Sequence, residues 1–274
     1  MIPHFLNQAT LLTMHKWGLT TQLKNKCGVM LSNFIASLPF AWLSLCLDQY
    51  NMAHSLIPQS QIVTQHGVQG CDLTSFLAQL HSWAIHADQP LFILKCDQQK
   101  GFDFLAPEGF YDAVATYGLP PEISQLDQSF QMDVQCQIHM AYGDTDVLLI
   151  NGVTCQGRPL SPFKSALTMS LGHCWLSDSF GIMVQSLLAH KGEPHTPLDD
   201  IMVKVAMVEA TDDSLLFADS IIKLWEMCIS MEWFQFAYGW MTAWDKSEVS
   251  IINSDSYISP SIQMPSIDTG NPLS

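Results

Sequence analysis

Positively charged residues are scarce in this sequence. The 274-residue chain contains a single arginine, Arg158, and has a formal net charge of −15 at pH 7. Nonspecific binding to nucleic acid depends on clustered lysine and arginine side chains that neutralise phosphates. The composition therefore argues against a strong nonspecific affinity for DNA or RNA. The apolar content of 48% is sufficient for the core of one large domain or two small ones.

Paired cysteine motifs are also absent. The eight cysteines are spread along the chain, with no C-x-x-C pair and no spacing typical of a zinc site. The N-terminus carries no secretory signal pattern. We therefore expect buried free thiols in a reducing compartment, and an intracellular protein, nuclear or cytoplasmic, that is not secreted.

Residues 27–47 contain no charged side chain, and a stretch of that length could span a bilayer. Asn33 and Pro39 interrupt it, however, and three serines lower its hydropathy. A buried helical pair broken at Pro39 is the favoured interpretation, because diluted hydropathy of this kind is a poor membrane signal. No membrane partner is expected.

Acidic residues lie at the ends of apolar runs at two places in the chain. The run Leu91–Cys96 predicts a central strand that ends at Asp97. Two later runs flank Thr211, Asp212 and Asp213, which predicts a β-hairpin with two adjacent carboxylates at its turn. Aspartate is a common turn residue, so the pair alone is a weak signal for a metal site.

Asp72 predicts the N-cap of a helix, and the elements from Pro90 onwards follow the order strand, helix, hairpin, loop, helix, hairpin, helix, strand. Pro107 and Gly118 mark the two ends of the first of these later helices, Cys174 and Trp175 belong to the predicted buried stripe of the second, and Ser220 starts the third. This order of elements predicts an α+β fold with an antiparallel sheet backed by helices. If the strand ending at Asp97 lies beside the hairpin, three carboxylates converge. Their mutual repulsion would then favour a pair of divalent cations, Mg²⁺ or Mn²⁺.

Three motifs carry a family resemblance. They are D-Q-Q-K-G-F-D at residues 97–103, Q-G-R-P-L-S-P at residues 156–162 and A-T-D-D at residues 210–213. In this order they resemble the palm motifs of reverse transcriptases, and most closely those of non-LTR (LINE-type) retrotransposons of the fungal kind. The resemblance implies a right-hand polymerase palm with a partial, mostly helical fingers region, covering roughly residues 60–252.

The resemblance also implies roles for individual residues. Three carboxylates would hold two metal ions: Asp97, Asp212 and Asp213. The Gln98 carbonyl would be a backbone metal ligand, and Lys246 would donate a proton to pyrophosphate. Phe102 would screen the sugar 2′ position. Gln156 and Gly157 would line the incoming nucleotide and the template, Gly157 because the backbone must approach closely there. The implied partners are an RNA template, a DNA primer and deoxynucleoside triphosphates.

Simpler interpretations remain open for several of these residues. Phe102 could be a core residue, Gln156 a loop residue without a ligand, and Lys246 a solvated lysine. The N-terminal region has no arginine that could grip a triphosphate, and no endonuclease, zinc knuckle, ribonuclease H or thumb is recognisable. The alternative function is therefore a catalytically inactive palm-fold relic, from a fragmentary or decayed element, acting at most as a binding module.

The sequence suggests three segments. Residues 1–60 form a divergent N-terminal or partial fingers region, residues 61–252 form the fingers and palm domain, and residues 253–274 form a disordered tail rich in serine and proline.

Overall fold

A computed structural model describes residues 7–16, 18–19, 25–62, 65, 67–98, 101–140, 142–152, 154, 156–185, 202–210 and 213–254. The strands follow one another as β1 (Gln8–His15), β2 (Lys26–Ser32), β3 (Leu91–Asp97), β4 (Val134–Met140), β5 (Gly143–Asp144), β6 (Leu148–Ile150), β7 (Ile182–Gln185), β8 (Met202–Val205), β9 (Met207–Ala210), β10 (Asp213–Ala218) and β11 (Glu248–Ile252). The helices are α1 (Phe34–His54), α2 (Gly70–Ala87), α3 (Gly101–Phe104), α4 (Pro107–Thr116), α5 (Pro121–Gln131), α6 (Ser161–Ser179) and α7 (Ile221–Ala237), and a short 3-10 helix spans Trp244–Lys246.

The chain divides into two compact units, each made of two separate segments. The first unit comprises residues 1–56 and 100–168, and the second comprises residues 57–99 and 169–274. The division of the sequence into segments 1–60, 61–252 and 253–274 stays a prediction. Residues 255–274 of the predicted tail lie outside the described part of the chain.

The first unit is built on a five-stranded sheet with the order β2-β1-β4-β5, in which β6 also pairs with β4. The β1 strand runs parallel to β4 and antiparallel to β2. Small and medium apolar side chains fill the centre of this sheet, namely Ala9, Met30, Val134 and Cys136. The sequence did not predict β1 and β2, which occupy the region where its patterning is weakest.

The α1 helix corrects the prediction for residues 27–47. Residues 27–32 belong to β2, and α1 then runs without a break through Pro39. Proline removes only one backbone donor here, and the Asn33 side chain caps the helix by accepting from the Ile35 N–H at 3.0 Å. The helix is not a buried one, since the side chains of Phe34 and Trp42 are strongly exposed. Within the described residues, no helix has both the length and the apolar content needed to cross a membrane.

A buried ion pair and a hydrogen bond to it connect three helices of the first unit. Lys164 Nζ on α6 lies 2.6 Å from Asp127 Oδ2 on α5, and both side chains are almost fully buried. The Tyr111 hydroxyl on α4 donates to the same carboxylate at 3.2 Å. Burial, together with the negative charge of Asp127, raises the pKa of Tyr111 far above its ordinary value. Such a network is costly to break, because each remaining group would be left buried and unpaired.

The second unit contains an antiparallel sheet with the order β11-β3-β10-β9. On strand β3, Leu94 and Cys96 are buried on one face, whereas the other face changes from buried Leu91 to exposed Lys95 towards the Asp97 end. The α7 helix contacts both β3 and β10. It starts where the sequence predicted, with Ser220 as the N-cap that accepts from the Lys223 N–H.

Several other predicted boundaries match the structure, and two do not. The α4 helix begins at Pro107 and is followed by Gly118 with a φ of +64°. The α2 helix begins at Gly70, so Asp72 is not its N-cap. Asp72 instead lies in the first turn and accepts from the Gln69 N–H at 2.7 Å. The run before the acidic hairpin is divided, because β8 pairs with β7 in a separate ribbon while β9 joins the main sheet.

The cysteines are free in the part of the chain that the structure describes, as the sequence predicted. Their predicted burial is only partly right. Cys96, Cys136 and Cys228 are buried, whereas Cys71 and Cys174 are exposed. Both exposed thiols lie on helices, at positions that turn away from the core.

Candidate active site

The first carboxylate of the candidate site lies at the end of the central strand of the second unit. The Asp97 carbonyl accepts from the Ala243 N–H at 2.8 Å, and the next residue, Gln98, bridges to Thr242. The Gln98 side chain is buried, with Nε2 3.8 Å from Met169 Sδ. The end of β3 is therefore held by the segment that follows α7, while the Asp97 carboxylate itself stays 20% exposed.

The second carboxylate lies directly across from the first. Strands β3 and β10 are antiparallel, and their register pairs Asp213 with Asp97. Directly opposed residues of an antiparallel pair project from the same face, with Cα atoms roughly 4.5–5.5 Å apart. The sheet therefore brings these two carboxylates together, as the sequence led us to expect. Asp212, together with Thr211, lies outside the described residues.

Two lysines neutralise this pair of carboxylates. Lys246 Nζ lies 3.0 Å from Asp97 Oδ2, and Lys95 Nζ lies 3.6 Å from Asp213 Oδ1. Both lysine side chains are about half exposed, so each ion pair contributes at most about 1 kcal/mol to stability and is weakened by salt. Lys246 is thus paired with a site carboxylate rather than only solvated.

Lys95 is a site residue that the sequence reasoning missed. It precedes Asp97 by two positions on the same strand, so both side chains lie on the same face of the sheet. The alternation that places Asp97 on the open face also places Lys95 there. That signal was present in the sequence and could have identified the residue.

The carboxylates suit a hard divalent cation. Mg²⁺ in proteins is commonly bound through one or two carboxylates, with water and substrate phosphates completing its coordination. Asp97 and Asp213 supply oxygen ligands of this kind on a partly open face. The described residues contain no group of three histidine, cysteine or acidic side chains arranged around one point. The third carboxylate expected from the sequence, Asp212, is not among them.

Three other predicted residues belong to the first unit. Phe102 lies in the short helix α3 and is partly buried. Gln156 is fastened to β2: its Oε1 accepts from Cys27 Sγ at 2.9 Å, and its carbonyl accepts from the Met30 N–H at 2.9 Å. Gln156 therefore has hydrogen-bond partners on β2, which is compatible with the alternative that it is a loop residue without a ligand.

Gly157 is required by packing. Its φ is +103°, and a Cβ built at this position would lie 2.7 Å from the Met30 carbonyl oxygen. Only glycine combines that backbone conformation with so close an approach. The resemblance implies a close approach of Gly157 to the nucleotide and template, which stays a prediction; the close approach observed within the first unit is to strand β2.

A second group of polar residues was also missed by the sequence reasoning. His173 on α6 lies between Ser60 and Glu209, with distances of 2.8 Å to Ser60 Oγ and 2.7 Å to Glu209 Oε2. The sequence placed Cys174 and Trp175 in the buried stripe of this helix, but both are exposed, and His173 and Leu176 are buried instead. The error arises because an isolated polar residue in an apolar helix gives no signal about its partners.

Buried thiols lie behind the carboxylates. Cys96, adjacent to Asp97, points to the covered face of β3, and burial and nearby Glu232 raise its pKa to about 12. Burial likewise raises the pKa of Cys228 on α7. These thiols are therefore protonated and unreactive at neutral pH, and their contribution to the site is packing.

Comparisons with known proteins identify the fold. No protein-family model and no curated protein matches the sequence. Among solved structures, apo telomerase from Candida tropicalis, truncated from its C-terminal domain, matches 96% of this chain with a TM-score of 0.58 at 11% identity. Telomerase from Candida albicans, in complex with a fragment of telomeric RNA, matches 96% with a TM-score of 0.58 at 12% identity.

The matched region is only part of those proteins. This chain spans 53% of the Candida tropicalis chain and 44% of the Candida albicans chain. At such low identity the likeness shows the fold alone. The antiparallel sheet that carries Asp97 and Asp213, backed by helices, is accordingly the palm of a reverse-transcriptase-like polymerase fold, and the predicted α+β palm is confirmed.

Proposed function

We propose that this chain is the fingers and palm part of an RNA-directed DNA polymerase from a non-LTR retrotransposon. The three palm motifs of the sequence support the assignment to this group. The telomerase likeness supports the polymerase fold and is neutral on the type of element. RNA template, DNA primer and deoxynucleoside triphosphates are the proposed partners, and a telomerase with the same fold has been solved with RNA.

The observation that carries the proposal is the register of the palm sheet. A motif-based assignment requires that Asp97 and the Asp212–Asp213 pair share one site, although more than 100 residues separate them in the sequence. The pairing of Asp213 with Asp97 supports this requirement for one member of the acidic pair. An acidic turn has no local sequence feature that would place it opposite the first motif, so this register favours the motif-based assignment.

Each residue has a proposed role in nucleotidyl transfer. Asp97, Asp212 and Asp213 would hold Mg²⁺ or Mn²⁺, and Lys246, now paired with Asp97, would donate a proton to pyrophosphate. The bound ions would supply Lewis-acid activation of the primer 3′-hydroxyl and stabilise the leaving group.

The remaining residues would contact the substrate. The Gln98 carbonyl would complete the metal site, and Phe102 would screen the sugar. Gln156 and Gly157 would line the nucleotide. Contact between the Gln156 side chain and a nucleotide would compete with its hydrogen bond from Cys27 Sγ.

The test is primer extension on poly(rA)/oligo(dT) by the purified chain with Mg²⁺ or Mn²⁺. We expect extension that depends on the metal and that Asp212→Asn abolishes. Asp219→Asn is the matched control, because Asp219 follows the opposite end of β10 and pairs only with Lys223, outside the site. Extension that Asp212→Asn leaves intact would contradict the proposal.

One observation favours the inactive relic as the second candidate. The only arginine, Arg158, is buried, with its guanidinium 4.6 Å from the Phe130 ring centroid and a hydrogen bond to the Phe130 carbonyl. It is therefore not positioned on the surface to bind phosphates, and the chain has no second arginine. This candidate predicts a folded protein that extends no primer at any metal concentration.

A further inference from the structure

Ser60, Gln61, His173 and Glu209 form a buried hydrogen-bonded group in the second unit, here named the His173 cluster. The His173 imidazole lies between Ser60 Oγ at 2.8 Å and Glu209 Oε2 at 2.7 Å. Gln61 Nε2 donates to the same Glu209 oxygen at 3.1 Å. The His173 side chain is fully buried and that of Glu209 is 4% exposed. An acidic side chain this deep in a protein is costly unless it is well paired, and here it accepts two hydrogen bonds.

The cluster fixes the orientation of the imidazole ring. His173 Nε2 faces the Glu209 carboxylate and Nδ1 faces the Ser60 hydroxyl, so each ring nitrogen has a separate partner. The helix that carries His173 is itself held closely, because a Cβ at Gly172 would lie 2.8 Å from the Phe234 ring of α7. The imidazole is thus held in one orientation within the second unit.

Residues of the same cluster form hydrogen bonds with the edge of the palm sheet. Strand β9 is an edge strand of that sheet. The Glu209 N–H donates to the Ser60 carbonyl at 2.8 Å, and the Ile62 N–H donates to the Glu209 carbonyl at 2.9 Å. Residues 60–62 therefore lie against β9 as a short parallel addition, with the side-chain cluster at the same point.

The anchored residue is next to the proposed metal site. Glu209 precedes Asp212 by three positions in the sequence. In the β9–β10 register it lies opposite Ser214, the neighbour of Asp213. Movement of β9 at Glu209 would therefore act on the start of β10, where Asp213 lies opposite Asp97.

We propose that His173 and Glu209 are positioning residues that hold strand β9, and through it the start of β10, so that Asp213 faces Asp97. This inference rests on the proposed function, because it takes Asp97 and Asp213 as ligands of a divalent metal. Side chains that orient metal ligands from behind typically change metal affinity or activity by about 10- to 100-fold when they are replaced. A loss of that size is expected here without any change to a metal ligand.

The test compares His173→Phe, which removes both hydrogen bonds at similar volume, with His173→Gln, whose amide can still donate to Glu209. Tyr111→Phe is the matched control, because it removes one partly buried hydrogen bond in the other unit. Mn²⁺ affinity, thermal unfolding and primer-extension kinetics are measured on the full chain. We expect His173→Phe to lower Mn²⁺ affinity and kcat by about 10- to 100-fold with little change in KM for the nucleotide. His173→Gln should recover part of both, and Tyr111→Phe should leave Mn²⁺ affinity unchanged.

Hydrogen exchange separates the possible outcomes. Faster amide exchange in residues 207–218 of His173→Phe, with unchanged exchange in α4 and α5, supports the anchoring role. If His173→Phe fails to fold, the milder variant Ser60→Ala replaces it, and its amide exchange should change in the same direction. Unchanged exchange in this segment, or a lower unfolding temperature with unchanged Mn²⁺ affinity, would overturn the inference. If wild type and Asp212→Asn bind Mn²⁺ equally, the proposed function fails, while the exchange data still decide whether the cluster anchors β9.

Discussion

Removing the positive charge of Lys95 should strengthen metal binding. Lys95 Nζ lies 3.6 Å from Asp213 Oδ1. An ion bound to that oxygen at about 2.1 Å would lie on the order of 5 Å from the ammonium group. Charges of +2 and +1 at that distance repel by about 1.7 kcal/mol in water, and screening at about 0.1 M salt leaves about 1 kcal/mol. Lys95→Met should therefore raise Mn²⁺ affinity about fivefold.

The assay is a Mn²⁺ titration followed by calorimetry, at low and at high ionic strength. The gain in affinity should shrink at about 1 M salt, where the screening length falls to about 3 Å. Lys223→Met is the matched control, because Lys223 forms an ion pair of 2.6 Å with Asp219 away from the site. An unchanged or reduced affinity in Lys95→Met would refute the reasoning, since it would mean that the bound ion is not at Asp213.

Four further predictions follow from the same geometry. Lys246→Met should raise Mn²⁺ affinity by the same argument while slowing primer extension, measured as kcat, because it removes the proposed proton donor. Gly157→Ala should lower the free energy of unfolding by about 2–4 kcal/mol in urea titrations, because of its positive φ and the contact with β2. Leu216→Ala, at a fully buried position of β10, should cost about 2–5 kcal/mol in the same assay. Burial raises the pKa of Cys96 from 9.0 to about 12, so this thiol ionises at lower pH in the unfolded chain than in the folded one. The free energy of unfolding should therefore fall as the pH rises above 9. In Cys96→Ala, the decrease in unfolding free energy with pH should be less steep.

The palm was predictable because its strands and helices carry strong local signals. Strand β3 is an apolar run, interrupted only by Lys95, that ends at Asp97, and α7 begins at its N-cap Ser220. Aspartate and serine at such positions act through local backbone hydrogen bonds, so these boundaries are visible in the sequence. The pairing of β3 with β10 was expected only from the motifs, since residues so far apart in sequence give no local sign of their register.

The first unit was much less predictable. Strand β1 pairs in parallel with β4, more than 100 residues away, and no turn signal accompanies such a pairing. The uncharged stretch of residues 27–47 predicts a buried pair of helices, but it contains a strand and most of one helix. Exposed apolar residues on α1 misled the burial prediction, because apolar character alone does not determine which face is covered.

At the site, charged residues on the open face were partly predictable and buried polar partners were not. Lys95 follows from the same alternation as Asp97, so a stricter use of strand periodicity would have found it. His173 and Glu209 meet only in the folded chain, where α6 packs beside β9. Each of them alone gives the pattern of an isolated polar residue in an apolar segment.

A double-mutant cycle on Mn²⁺ affinity tests the central claim most directly. Asp97→Asn, Asp213→Asn and the double variant are compared with wild type, with the fold of each verified by circular dichroism. If both carboxylates hold ions of one site, each single change should reduce affinity and the double variant should fall short of the summed losses. Strictly additive losses, or single variants that bind Mn²⁺ as wild type does, would contradict the account.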